Sequence, residues 1–236
     1  MTTLVLTAAA GSETGNRYRS NFDRAHLSLD PLLAVVADGM GDGPGSTMAA
    51  QTAVDLVVEH GRAAPAALGA AVALAHQRIA DFGREIGGLA GCTLTALAQT
   101  PEGFWLAQLG DSRLYRLRAG LLELLTVDHT MAWLGAVHGW YPFDSRQAAS
   151  ARYQLTRYLG HPAHPDPDLM KINPRPGDTF LLCTDGIAEQ VSYQQLLATL
   201  GSGNTPAAMV RDLLSAAEAA GGNDNATAIV ITATGA

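Results

Sequence analysis

Six apolar residues in a row, 32–37, run directly into Asp38-Gly39, and the same form recurs along the chain. Residues 180–184 lead into Asp185-Gly186, 104–109 lead into Gly110-Asp111-Ser112, and Asn223-Asp224-Asn225 stands just ahead of the apolar stretch 226–232. Apolar runs this short, bounded by turn residues, read as strands. Further candidate strands lie at 4–8, 25–29, 92–98, 114–118 and 121–125. The connections Pro101-Glu102-Gly103 and Ala119-Gly120 are hairpin-sized, which predicts an antiparallel meander in the middle of the chain.

Helices fill the gaps. Over 66–86 the apolar positions Leu68, Val72, Ala75, Ile79, Phe82 and Ile86 keep three-and-four spacing, giving one buried stripe. Residues 46–60 show the same habit with Ala49, Ala53, Leu56 and Val57. Ser192 with Gln195 reads as a capping box opening a helix that Gly201 closes, and Thr205-Pro206 opens another through Leu213 and Leu214. Hairpins and helix pairs, in place of strict β-α-β repeats, predict a layered α/β fold around largely antiparallel sheets. At 236 residues, with 47% apolar side chains, one domain spanning 1–236 is expected. The least regular stretch, 129–176, holds Trp133, Trp140, Tyr141 and the Pro/His run 161–167. It reads either as a flap covering a site or as a plain surface connection.

Charge narrows the function classes. The chain has 22 acidic and 15 basic residues, a formal charge of −7, and no Lys/Arg run, which argues against nucleic acid or an anionic membrane as main partner. Of the acids 15 are Asp, which favours caps, turns and metal loops over helix faces. Of the bases 14 are Arg, so lysine chemistry is nearly excluded, Lys171 being the one candidate. Cys92 and Cys183 sit inside apolar runs, where buried reduced thiols are expected and a disulfide or a two-cysteine metal site is not. Residues 1–11 carry no basic leader pattern, and no apolar run approaches the roughly 18 residues of a membrane span. A soluble, cytoplasmic protein is the expectation.

The strand-ending aspartates carry the chemistry. Strand ends of one sheet converge at one edge, where carboxylates from Asp38, Asp111, Asp185 and Asp224 can share hard cations such as Mg²⁺ or Mn²⁺. The neighbouring glycines let the backbone approach and free a carbonyl as a further ligand. Any one Asp-Gly taken alone is better read as a turn; four at strand ends favour a metal cluster.

The same segments carry a family resemblance. In chain order they are Val35-Val36-Ala37-Asp38-Gly39-Met40-Gly41, Gly91-Cys92-Thr93-Leu94, Leu109-Gly110-Asp111-Ser112-Arg113-Leu114-Tyr115, Leu125-Thr126-Val127-Asp128-His129, Leu155-Thr156-Arg157-Tyr158-Leu159-Gly160, the stretch 177–186, and Asp224-Asn225-Ala226-Thr227. Their order and spacing resemble the PPM family of metal-dependent protein phosphatases, also called protein phosphatase 2C, in its compact bacterial form. The resemblance implies an α-β-β-α sandwich with two metals, Mn²⁺ or Mg²⁺, at one edge of the paired sheets. It implies that Asp38 bridges both metals, that Gly39 offers its carbonyl to one, and that Asp185 and Asp224 hold the other. Asp111 would help a third, weaker metal, and Asp23 would bond a metal-bound water. Two cations about 3.5 to 4 Å apart lower the pKa of a shared water, deliver it as a bridging hydroxide in line with phosphorus, and neutralise phosphoryl charge. The implied function is hydrolysis of phosphoserine or phosphothreonine in proteins, by a monomer with a phosphoprotein as partner.

Three positions depart from the family pattern. The arginine that clamps phosphate three residues before the Asn of the N-terminal motif is Tyr18 here, flanked by Arg17 and Arg19. In an extended strand these two point to the opposite face from Tyr18; a bulge or register shift would bring one into the site as the clamp. Phe22 stands where an acidic or amide residue often makes a water-mediated metal contact. The chain reads Gly41-Asp42-Gly43-Pro44-Gly45 where the family often has Gly-Gly-His, so the histidine that helps protonate the leaving alcohol is missing. Asp42, a metal-bound water or a histidine from 129–176 are the substitutes. A small-molecule phosphomonoesterase and a pseudophosphatase that binds phosphoprotein without turnover are the competing functions.

Overall fold

The computed structural model describes residues 4–235. The chain opens with β1 (Leu4–Glu13), β2 (Arg24–Leu29) and β3 (Leu32–Ala37), then a helix pair, α1 (Pro44–His60) and α2 (Pro65–Ile86). Next come β4 (Leu94–Thr100), β5 (Gly103–Leu109), β6 (Arg113–Arg118) and β7 (Leu121–Leu124). The stretch predicted to be irregular holds α3 (Met131–Val137), α4 (Arg146–Ala151) and β8 (Asp168–Ile172). The chain ends with β9 (Thr179–Cys183), the single turn α5 (Asp185–Ala188), α6 (Tyr193–Leu200), α7 (Pro206–Ala219) and β10 (Ala226–Gly235).

Ten strands form two five-stranded sheets, β1-β10-β9-β6-β7 and β2-β3-β4-β5-β8, in which every neighbouring pair is antiparallel. The period of two along each strand explains the layering. In β3, Leu33, Val35 and Ala37 face α1 and α2, while Leu32, Ala34 and Val36 face the other sheet. In β9, Leu181 and Cys183 face α5 to α7, while Phe180 and Leu182 enter the space between the sheets. Three cores result, helix on sheet, sheet on sheet and sheet on helix, which is the α-β-β-α sandwich. Cys92 and Cys183 lie in the two outer cores, on opposite sides of the paired sheets, and are free and buried.

The local signals behave as their chemistry requires. Ala119 and Gly120 both take positive φ, 49° and 81°, the backbone of a tight two-residue hairpin turn. Ser192 Oγ accepts from the Gln195 amide at 3.3 Å while Gln195 Oε1 accepts from the Ser192 amide at 3.1 Å, a complete capping box. No helix of the described residues is long and apolar enough to cross a membrane.

Two expectations are corrected. The middle strands are not one meander: β4-β5 and β6-β7 are hairpins in different sheets, and Gly110-Asp111-Ser112 carries the chain from one sheet to the other. Consequently the aspartates do not end the strands of one sheet. Asp38 follows β3, Asp185 and Asp224 flank β9 and β10 of the opposite sheet, and Asp111 sits at the crossing.

Candidate metal centre

Asp38, Gly39, Asp111, Asp185 and Asp224 all line one open cavity of about 190 Å³ where the ends of the two sheets meet. The backbone around Asp38 is fixed by Thr93, whose amide donates to the Asp38 carbonyl at 2.9 Å and whose Oγ1 accepts from the Asp38 amide at 3.0 Å. Gly39 is enclosed: a Cβ there would lie 2.6 Å from the Ser46 carbonyl oxygen and 2.9 Å from that of Phe22. Asp185 opens α5, and its neighbour Gly186 packs so closely on Asn225 that a Cβ would sit 2.0 Å from its carbonyl oxygen. That contact draws the Asp185 and Asp224 segments together. Asp224 Oδ1 accepts from the Asn225 amide at 2.8 Å, and Asn225 Oδ1 accepts from the Phe22 amide at 2.8 Å, which ties in the N-terminal motif.

Asp23 stands behind the cavity wall, 3% exposed. Its Oδ2 accepts from Thr227 Oγ1 at 2.6 Å and from Thr184 Oγ1 at 2.8 Å, so a residue entering β2 is bonded to β10 and to the end of β9 in the other sheet. Ser12 Oγ lies 2.7 Å from Thr227 Oγ1 and accepts from Asn21 Nδ2 at 2.8 Å, extending the network.

The electrostatics are those of a site that lacks positive charge of its own. Burial first, then neighbouring carboxylates, pushes Asp38 and Asp185 well above the usual carboxylate range. Burial raises Asp111 to about 7, with Asp128 and Glu189 adding to it, and raises Asp23 to about 6. Burial also raises Asp224, which the Arg17 guanidinium partly counters. Oδ1 of Asp185 and Oδ1 of Asp23 are buried without a hydrogen-bond partner in the described residues. Orphaned carboxylate oxygens beside mutually repelling charges are the donor set of a hard divalent cation. Among the described residues no three His, Cys, Asp or Glu side chains close into a ready-made cage. The carboxylates line an open hollow instead, which suits a cation that keeps much of its water.

The phosphate-clamp expectation is corrected in part. Residues 14–23 are not a strand: the Tyr18 amide bonds the Gly15 carbonyl at 3.1 Å and the Asn16 amide bonds the Gly222 carbonyl at 2.7 Å, making a turn. This turn presents Tyr18 to the cavity and leaves Arg17 and Arg19 exposed and off its wall. No described histidine lines the cavity either. His129 is buried, its Nδ1 accepting from the Gly110 amide at 3.0 Å and its Nε2 facing Asp168 Oδ2 at 3.0 Å, while His161 and His164 lie near Tyr158 and His76. Asp42 is exposed and likewise off the wall. Lys171 sits over the Trp105 ring, 5.9 Å from its centroid, and takes no part. From the irregular stretch, Tyr153 and Leu155 do reach the cavity.

Glu189, off the cavity wall, is a neighbouring charge the sequence reading missed. Its charge acts on Asp111, Asp185 and Tyr153. The available signal was its position four residues after Asp185, one helical turn on and therefore on the same face. A separate cleft of about 570 Å³ beside the C-terminal end of α2 is lined by Arg84, Tyr158 and His164 and lies apart from these carboxylates.

Comparison with known proteins agrees with this geometry. A serine/threonine protein phosphatase, PstP of Mycobacterium tuberculosis, is 32% identical over 97% of this chain, which spans only 45% of that relative's length. The solved structure of MsPP, a PPM Ser-Thr phosphatase from Mycobacterium smegmatis in complex with cacodylate, is 32% identical with a TM-score of 0.85, covering 96% of this chain and 97% of that one. The catalytic domain of PstP in complex with two manganese ions is 31% identical with a TM-score of 0.86, covering 98% and 100%. The family model for protein phosphatase 2C matches residues 20–225, and with these carboxylates gathered in one cavity the chain belongs to that family.

Proposed function

We propose that this chain is a Mn²⁺- or Mg²⁺-dependent phosphatase that hydrolyses phosphoserine and phosphothreonine in proteins. The observation that carries the reading is the convergence of Asp38, Asp111, Asp185 and Asp224, from four separate segments, on one cavity with Gly39. Asp38 and the Gly39 carbonyl would hold one cation, Asp38, Asp185 and Asp224 the other, and Asp111 with Glu189 a third, weaker one. Bound there, paired divalent cations supply the Lewis acidity that activates water and neutralises phosphoryl charge. The protein's own part is positional: Thr93 fixes the Asp38 backbone, and Asp23 keeps the two sheets in register behind the site. The manganese-bound PstP domain supports the choice of metal. A pseudophosphatase has no evident need of four carboxylates whose repulsion only a cation relieves. We further read the chain as one cytoplasmic, monomeric domain in which 129–176 serves as a flap beside the site.

Turnover of an aryl phosphate in the presence of Mn²⁺, abolished in Asp38→Asn, tests the chemistry. Comparison of a phosphothreonine peptide with sugar and nucleoside phosphates tests the substrate class; preference for the sugar phosphates would replace the protein reading with a metabolite one.

A further inference from the structure

The cavity that gathers the carboxylates has no arginine, lysine or histidine among the described residues of its wall. A phosphate entering it needs hydrogen-bond donors as well as cations, and the side-chain donors at hand are few. Thr93 is committed, accepting from the Asp38 amide and lying 2.6 Å from Ser112 Oγ. Asn225 is committed too, with Oδ1 on the Phe22 amide and Nδ2 directed to the Ser20 carbonyl at 3.5 Å. Tyr153 also lines the cavity, but it is 72% exposed and the charge of Glu189 acts on it. Tyr18 is the more enclosed of the two wall tyrosines, and no hydrogen-bond partner among the described residues engages its hydroxyl.

Tyr18 is also held in place. Its ring meets Phe22 edge-on, with centroids 6.0 Å apart at 84°. Its amide closes the turn onto Gly15, and Gly15 packs so tightly on Asp224 that a Cβ would lie 2.2 Å from the Asp224 carbonyl oxygen. The phenol is therefore fixed relative to one of the carboxylates. Burial, then the charges of Asp224, Asp38 and Asp185, raises its pKa, which keeps it a neutral donor.

We infer that the Tyr18 hydroxyl is the side chain that binds the substrate phosphate, donating a hydrogen bond to a non-bridging oxygen at a wall that carries no cationic side chain. The inference rests on the phosphatase reading. It leaves the exposed Arg17, whose charge acts on Asp224 and Tyr18 from off the wall, as a background charge and not the clamp. A phosphate bound there would depend on the metals more heavily than one clasped by a guanidinium.

The test compares wild type and Tyr18→Phe, both loaded with Mn²⁺, using inorganic phosphate as the probe. Calorimetry should show phosphate affinity lowered about tenfold or more in the variant, with Mn²⁺ affinity and thermal midpoint unchanged. The KM for a phosphothreonine peptide should rise by a similar factor while kcat changes less. In the wild type, phosphate should perturb the phenol absorption band, and Tyr18→Phe should remove that difference spectrum. Equal phosphate affinity in the two proteins overturns the inference, as does a wild-type phenol spectrum that phosphate leaves unmoved; the second result stands even if the variant does not fold. Wild type that binds Mn²⁺ and phosphate without turning over any phosphoester sinks the phosphatase reading, while the binding comparison still decides Tyr18.

Discussion

Thr93 and Asp38 grip each other through two hydrogen bonds, amide to carbonyl at 2.9 Å and amide to hydroxyl at 3.0 Å. The same hydroxyl reaches Ser112 Oγ at 2.6 Å, so one threonine joins the end of β3 to the crossing that carries Asp111. Thr93→Val keeps the shape but leaves the Asp38 amide without an acceptor, at a cost of about 1–3 kcal/mol. The valine variant should unfold at lower denaturant and bind Mn²⁺ more weakly, whereas Thr93→Ser should match wild type in both measurements.

Metal-free protein should lose stability as pH rises. Burial pushes Asp23 up to about 6 and Asp111 up to about 7 in the folded chain, and holds Asp38 and Asp185 well above the usual carboxylate range. A carboxyl whose folded pKa exceeds its unfolded value contributes stability below the unfolded value, near 4, and loses it as pH climbs through the folded one. Thermal midpoints of metal-stripped protein should therefore fall between about pH 4 and 7, and Mn²⁺ added at pH 7 should restore them. A flat profile across that window would contradict a repulsive carboxylate cluster.

Gly39 and Gly43 stand close in sequence and should respond oppositely to alanine. A Cβ at Gly39 meets the Ser46 and Phe22 carbonyls, whereas nothing lies within 4 Å of one at Gly43. Gly39→Ala must displace the backbone whose carbonyl is proposed to hold a cation, so Mn²⁺ affinity should drop about tenfold or more, in the range seen when groups that orient metal ligands are lost. Gly43→Ala should leave metal binding intact and cost about 0.5–1 kcal/mol of stability, since alanine is a poorer helix N-cap than glycine. Isothermal titration with Mn²⁺ distinguishes the two.

Phe180 is 1% exposed between the sheets. Phe180→Ala should cost about 3–5 kcal/mol, the lost burial plus the cavity left behind. Denaturant unfolding reads this directly. Mn²⁺ affinity of the molecules that remain folded should stay near the wild-type value, because Phe180 touches the layer between the sheets and none of the carboxylates.

The strands were legible where burial was two-sided. Leu32 to Ala37 are all apolar because alternate residues face a helix layer and the opposite sheet, so the run reads as a strand even though its partners do not. β8 was not legible for the opposite reason: it is an edge strand in which only Ile172 is buried, leaving no pattern to find. The change of sheet at Gly110-Asp111-Ser112 has the same residues as a hairpin turn, so spacing alone could not separate the two. The aspartates stood out because each ends an apolar run or precedes one. The inward turn of Tyr18 did not, since it depends on the Asn16 bond to Gly222, a contact across some two hundred residues of chain.

Asp38 belongs to one sheet, and Asp185 and Asp224 belong to the other. A cation shared among them would be a rivet through both plates of the sandwich, placed where no disulfide joins the layers, since the two cysteines are free. The metal supply of the surroundings would then set more than the rate of hydrolysis. It would set how firmly the halves of the molecule stay clamped, so that a protein starved of divalent ions opens first at its own working edge.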